Sequence, residues 1–292
     1  MQGDARERAA RLGCWSGPVE PRPVGGGITN ANFRVDDRGG SFFVRIGDDI
    51  PVHGVLRFNE AAASRAAHAA GLSPEVVHQE PGALVLRFVE GRTLTPEDVR
   101  RPETLERILP LVKRCHREVP RHLRGPTLAF WVFHVVRDYV HTLGEAGSAR
   151  VAELSRLFEV AETLERAVGP VELVFGHNDL LAGNLLDDGK RLWLVDWDYA
   201  GWGSALFDLG GLASNSALAP DQEEWLLATY FERSPDDTLR RAYAAMKCAS
   251  LLRESLWSMV SELHSHLDFD YAAYTAENLA RFERAYQEFA KR

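Results

Sequence analysis

A change in hydrophobic period part-way along the chain constrains the fold more than any other feature. Over residues 1–90 apolar side chains fall in short alternating or continuous runs bounded by glycine, proline and aspartate. From Thr95 onward they recur at three- and four-residue spacing, the signature of helices with one buried face. At roughly 150 residues per domain, 292 residues suffice for two domains or one with two lobes. The switch in period predicts two lobes, 1–90 and 91–292.

The first lobe reads as a short helix at Asp4 to Leu12, then strands in PVEPRPV, NANFRVDD and SFFVRIGDD, the last two joined by an Asp-Asp-Arg-Gly-Gly hairpin signal. Residues 55–70 are alanine-rich and helical, stopped by Gly71 and Pro74, and PEVVHQEPGALVLRFVEG gives two more strands turning at Pro81-Gly82. The order βββαββ implies an antiparallel sheet with one helix against it. The second lobe reads as helices at Thr95–Arg100, Pro102–Arg117, Phe130–Leu143, Ala149–Val168, Asp221–Glu232, Asp236–Leu263 and Tyr271–Ala290. The fold class is therefore α+β, with a small antiparallel-sheet lobe and a large, mainly helical one.

Composition narrows the function classes. With 45% hydrophobic and 26% charged residues the chain has a normal globular core, so a disordered or fibrous protein is excluded. A balance of 34 basic to 42 acidic residues, net charge −8, has the wrong sign for nucleic-acid binding. Cys14, Cys115 and Cys248 are far apart with no CxxC spacing, which argues against a zinc site or disulfide framework and for a reducing compartment. A charged N-terminus, without an apolar stretch long enough to span a bilayer, predicts a cytoplasmic protein, monomer or homodimer, with no membrane partner.

One segment, residues 171–201, breaks the helical pattern with short apolar runs separated by polar loops. There His177, Asp179 and Asn184 form an HxDxxxxN loop after a buried strand, and the apolar run RLWLV then delivers Asp196. Phosphoryl transfer needs a base for the acceptor hydroxyl, oxygen ligands for magnesium and a cation on the nucleotide phosphates. Asp179, Asn184 and Asp196 supply the first two.

This loop-strand-Asp pattern resembles the catalytic apparatus of protein-kinase-like small-molecule kinases, and other residues answer to the same mechanism. Gly25, Gly26, Gly27, Thr29 and Asn30 lie between two strands, where bare backbone amides can approach phosphate oxygens. Arg45 ends the strand FFVR where such kinases carry a phosphate-binding cation, and Glu60, fifteen residues later, is placed to pair with it. The continuation LVDWDYAGWGSALFDLGGLASN and the C-terminal LLRESLWSMVSELHSHLDFDYAAYTAENLARFERAY narrow the resemblance to the choline/ethanolamine kinase family within the aminoglycoside-phosphotransferase-like, bilobal protein-kinase-like fold. It extends from about Val24 to Tyr286.

The resemblance implies ATP and magnesium as cofactors, Asp179 as the base or hydroxyl-orienting carboxylate, and Asn184 and Asp196 as metal ligands with Asp198 as a second acidic contact. It places adenine at the hinge from Phe88 to Gly91, held by backbone groups. It makes Asp208 an organiser of backbone amides and His177 a buried hydrogen-bonding residue. The acceptor is expected to be a small cationic amino alcohol, met by Trp257, Glu254 and Asn215. Glu254 stands where eukaryotic choline kinases often have a second Trp, and Asn215 near where they have an acid. Fewer aromatics and a closer carboxylate suit a primary ammonium. A related acceptor such as an aminoglycoside or thiamine, and a non-catalytic nucleotide-binding module, are the alternatives. His264, His266, Asp268 and Asp270 suggest a polar rim, since histidine is a poor magnesium ligand.

Overall fold

The computed structural model describes residues 2–25, 30–148, 150–265 and 269–291. Helix α1 (Gln2–Ala10) precedes strands β1 (Arg22–Pro23), β2 (Ala31–Asp37) and β3 (Gly40–Ile46). Helix α2 (Arg57–Ala69) and strands β4 (Val76–Glu80) and β5 (Ala83–Arg87) complete an antiparallel sheet of order β1-β2-β3-β5-β4. The expected order βββαββ is the one observed. Gly40 and Gly82 turn its hairpins at φ of +117° and +66°, backbone that a side chain resists. Strand alternation then buries Phe33, Val35, Phe42 and Val44 against Ala9 and Leu12, a small apolar cluster of their own.

Helix α2 stays outside that cluster. Its Ala63, Ala66 and Ala67 pack instead into the large core with Leu105, Ile108, Leu109 and Val112, so the boundary drawn in the sequence at residue 90 is crossed by the packing. The segment that follows α2 is tied to the same side, where Leu194 N–H donates to Leu72 C=O at 3.0 Å.

The rest of the chain is β6 (Arg92–Thr93), α3 (Pro96–Val99), α4 (Pro102–His122), α5 (Val132–Glu145), α6 (Val151–Val168), β7 (Leu173–Gly176), β8 (Leu185–Asp187), β9 (Leu192–Leu194), β10 (Gly201–Ser204), α7 (Ala205–Ser216), α8 (Pro220–Phe231), α9 (Asp237–His264) and α10 (Tyr271–Ala290). β7 pairs with β10, and β6, β8 and β9 form a second small sheet. No described helix is long and apolar enough to cross a membrane.

Two helices depart from the expectation. Helix α4 continues past Arg117 because Cys115 and Val119 extend its buried stripe, and that burial outweighs Pro110 and Pro120 within it. Helix α7 was not expected as a helix, since Gly210 and Gly211 lower its propensity. Tertiary packing decides there: a Cβ on Gly210 would lie 2.9 Å from the backbone nitrogen of Lys247 in α9, so glycine is what lets the two helices meet.

Candidate active site

The polar segment that follows β7 and the one that follows β9 lie against each other. Val195 links these segments: its N–H donates to Asn184 C=O at 3.0 Å, and its C=O meets His177 Nε2 at 3.0 Å. Asn184 Nδ2 donates to the backbone oxygen of Asp179 at 2.9 Å and to its Oδ2 at 3.2 Å. Asn178 and Asp196 adopt φ of +63° and +67°, which side chains beyond glycine rarely take. Asn178 is held there by Nδ2 bonds to the carbonyls of Gly176, Tyr199 and Gly201.

Beneath the loop, buried Asp208 accepts from the backbone N–H of His177 at 2.8 Å and of Asn178 at 2.7 Å, and contacts His116 Nε2 at 2.9 Å. Burial opposes its charge, yet His116 and the backbone donors hold its pKa below the usual value. His116 in turn meets the Tyr230 hydroxyl at 2.7 Å. His177 is fully buried, with its pKa lowered by burial.

The two acids above this floor behave differently from surface carboxylates. Burial pushes Asp179 up to about 7, helped by Glu254 and Asp198 and opposed by Arg253. Asp196 is exposed on one side while protein surrounds it on the others, and that enclosure together with Asp198 and Asp179 raises its pKa. Arg45 acts on it in the opposite direction.

Arg45 Nη2 contacts Glu60 Oε2 at 2.5 Å with both side chains buried, the pairing anticipated from spacing. The pair belongs to a larger cluster. Arg57 Nη1 lies 2.9 Å from Glu60 Oε2 and 2.6 Å from Asp198 Oδ1, while its Nη2 donates to Asn30 Oδ1 at 2.7 Å. Two guanidiniums and two carboxylates therefore close a buried quartet that joins α2 and β3 to the Asp196 loop.

The candidate acceptor side lies next to Asp179. Asp179, Asn215, Ser250, Arg253, Glu254 and Phe207 line one pocket. Glu254 accepts from the Tyr274 hydroxyl at 2.6 Å and from Arg253 Nη1 at 3.0 Å.

Comparison with known proteins places this arrangement. Residues 20–249 match the model of the phosphotransferase enzyme family, APH. A crystal structure of a choline/ethanolamine kinase family protein from Mesorhizobium loti superposes with a TM-score of 0.78 at 30% identity, covering 99% of this chain and 97% of that one. The chain belongs to the choline/ethanolamine kinase family. A probable ethanolamine kinase of Arabidopsis thaliana is 26% identical over 86% of this chain and 75% of its own length. Protein LicA of Haemophilus influenzae is 27% identical over 85% and 75% respectively. This choline/ethanolamine kinase family member is accordingly a phosphotransferase acting on small alcohols, with the protein-kinase-like fold.

Within this family member several expected site residues already have partners in the protein. Trp257 is absent from the pocket lining: it is 5% exposed, donates from Nε1 to the Tyr199 hydroxyl at 2.9 Å, and packs 5.2 Å from the His53 ring. Asp198 is bound by Arg57, and Asn30 bonds both of these. The Phe88 N–H is taken by Ser41 C=O at 2.9 Å, which removes that donor from any adenine contact. Gly25 is exposed, and Gly26, Gly27 and Thr29 lie outside the described residues, as do His266 and Asp268. Asp270 caps α10 through Ala273 N–H at 2.9 Å.

Arg57, Arg253 and His116 escaped the sequence reading. Arg57 had one usable signal, its place three residues before Glu60 on a helix, which puts both on one face. The other two reach the site by long-range packing alone.

Proposed function

We propose that the protein is an ATP- and magnesium-dependent kinase that phosphorylates the hydroxyl of a small amino alcohol, of the choline/ethanolamine class. In this reading 1–90 is the nucleotide-binding lobe and 91–292 the catalytic and acceptor-binding lobe. The observation that carries it is the bond from Asn184 to Asp179 on the loop that Val195 ties to the Asp196 segment, with the buried Arg45–Glu60 pair joined through Arg57 to Asp198 two residues further on.

The donor set suits magnesium. Asn184 uses its Nδ2 on Asp179, so Oδ1 is the atom it offers a metal, and Asp196 adds a carboxylate that solvent reaches. Among the described residues no three His, Cys, Asp or Glu side chains converge. Magnesium is commonly held by one or two carboxylates with phosphates and waters completing its shell. When bound, the ion would neutralise charge on the phosphate oxygens.

The chain's own residues do the rest. Arg45, fixed by Glu60, presents positive charge toward the phosphates, and Asp179 orients the acceptor hydroxyl and takes its proton. The acceptor oxygen bonds to the γ-phosphorus as the bond to the bridging oxygen breaks, and ADP leaves with that electron pair. Phe207 is the one aromatic among the described residues that line the pocket, beside the oxygens of Asn215 and Glu254. Such a lining favours a primary ammonium, which donates hydrogen bonds, over a quaternary one that relies on π-faces.

The test is an ADP-release screen over ethanolamine, choline, related amino alcohols, thiamine and aminoglycosides, with and without magnesium. Magnesium-dependent release with a small amino alcohol is expected. Release only with an aminoglycoside or thiamine would reassign the acceptor, and nucleotide binding without release under any acceptor would make the protein a binding module.

A further inference from the structure

Arg253 is a buried cation that the phosphotransfer scheme above does not use. It sits on α9 at 4% exposure, in the wall of the pocket that contains Asp179. Its guanidinium carbon lies 4.2 Å from the Tyr199 ring centre, and Nη1 donates to Glu254 Oε2 at 3.0 Å. Nε and Nη2, both buried, have no hydrogen-bond partner of good geometry among the described residues, and the Tyr139 hydroxyl is the polar side chain that the guanidinium otherwise meets. Those two N–H groups share one edge of the planar guanidinium and point in parallel, the fork that matches two oxygens of a phosphate or carboxylate.

A guanidinium kept only for packing is expected to have its donors satisfied, because a bare buried donor is costly. Nor does Arg253 help a cationic acceptor to bind, since like charges repel. Its charge also reaches Asp179, where the acceptor hydroxyl is held in the proposed reaction. In that reaction the anion entering this part of the pocket is the phosphoryl group as it joins the acceptor oxygen.

We propose that Arg253 is a phosphoryl-binding residue of the acceptor pocket, its Nε–Nη2 edge taking two oxygens of the transferred group in the transition state and in the phosphomonoester product. This inference rests on the proposed kinase reading. It adds a cation from α9 to the one supplied by Arg45, so that the moving group is met from both sides of the cleft.

The test compares wild type with R253Q and R253K, using ethanolamine or whichever amino alcohol the screen selects. Calorimetric titration with the matching phosphomonoester, which needs no turnover, is run beside steady-state kinetics. R253Q is expected to bind the phosphomonoester at least tenfold more weakly and to lose about 10²- to 10³-fold in kcat, with the acceptor KM unchanged or lowered. R253K keeps the charge without the fork and is expected to fall between. Should R253Q fail to fold, judged by its thermal melt, R253K carries the comparison. Undiminished phosphomonoester binding in the folded variant overturns the proposal. A wild type that prefers serine to ethanolamine, with R253Q raising only the serine KM, also overturns it, because the fork would then read a carboxylate on the acceptor. Failure of every acceptor in the screen would sink the kinase reading while the titration still decides whether Arg253 binds a phosphate monoester.

Discussion

Replacing Arg57 by Met removes a cation from the buried quartet while keeping most of the apolar stem. Arg57, Glu60 and Asp198 have side chains exposed by only 9%, 5% and 6%, so water cannot replace the lost partner. Breaking one member out of a buried ion pair typically costs about 3–5 kcal/mol, because the remaining charge stays in a poor solvent. Unfolding entropy near 2.1 cal/mol/K per residue, over 292 residues, gives roughly 0.6 kcal/mol/K, so the loss corresponds to a Tm lower by about 5–8 °C. Urea denaturation and thermal melts of Arg57→Met, Asp198→Asn and the double variant supply the measurement. The double variant should be more stable than the sum of the single losses implies, by about 2 kcal/mol, since it no longer leaves Asp198 charged and alone. A single-variant loss below about 1 kcal/mol, or additivity within about 0.5 kcal/mol, would refute the claim that Arg57 neutralises Asp198.

Asp179→Ala should lower kcat by about 10²- to 10⁴-fold if the carboxylate takes the acceptor proton, and turnover close to wild type would remove that role. Gly210→Ala should destabilise by about 1–3 kcal/mol, read by urea denaturation, because its Cβ would press on the α9 backbone at 2.9 Å; an unchanged midpoint would show that α7 can shift freely. His53, wedged between the Tyr139 and Ser261 hydroxyls, has its pKa lowered to about 3 by burial, with Arg253 and His264 adding to the shift. The unfolded chain protonates it near 6.5, so its contribution is complete above that pH and is lost as pH falls toward 3. Wild type should therefore lose about 2 kcal/mol more than His53→Gln between pH 7 and pH 5, and equal losses would contradict the buried neutral imidazole.

The parts of the molecule legible in the sequence are those whose physics is local. Strand alternation in NFRV and SFFV, the turns at Gly40 and Gly82, and the fixed spacing of Asp179, Asn184 and Asp196 all act over a few residues, and the structure joins them through Val195 as neighbouring strand ends require. Arg45 and Glu60 were readable as well, since a strand and the helix after it have few ways to pack. Helix α7 was hidden because its glycines serve contact with α9, a helix more than twenty residues away, and local propensity reports the opposite preference. Trp257 shows the same dependence on packing: the sequence offers an aromatic near Glu254, and the finished fold sets its ring 5.2 Å from that of His53, from the far end of the chain. Arg57 and Arg253 are harder still, because a charged residue on a helix ordinarily faces water and only the finished packing encloses it. The local signals thus mark candidate groups for chemistry, whereas the charges packed around them come from α2 and α9 and take their places only in the finished packing. That division explains why Asp179, Asn184, Asp196, Arg45 and Glu60 could be singled out by number, and why Arg57 and Arg253 had to be found in the structure.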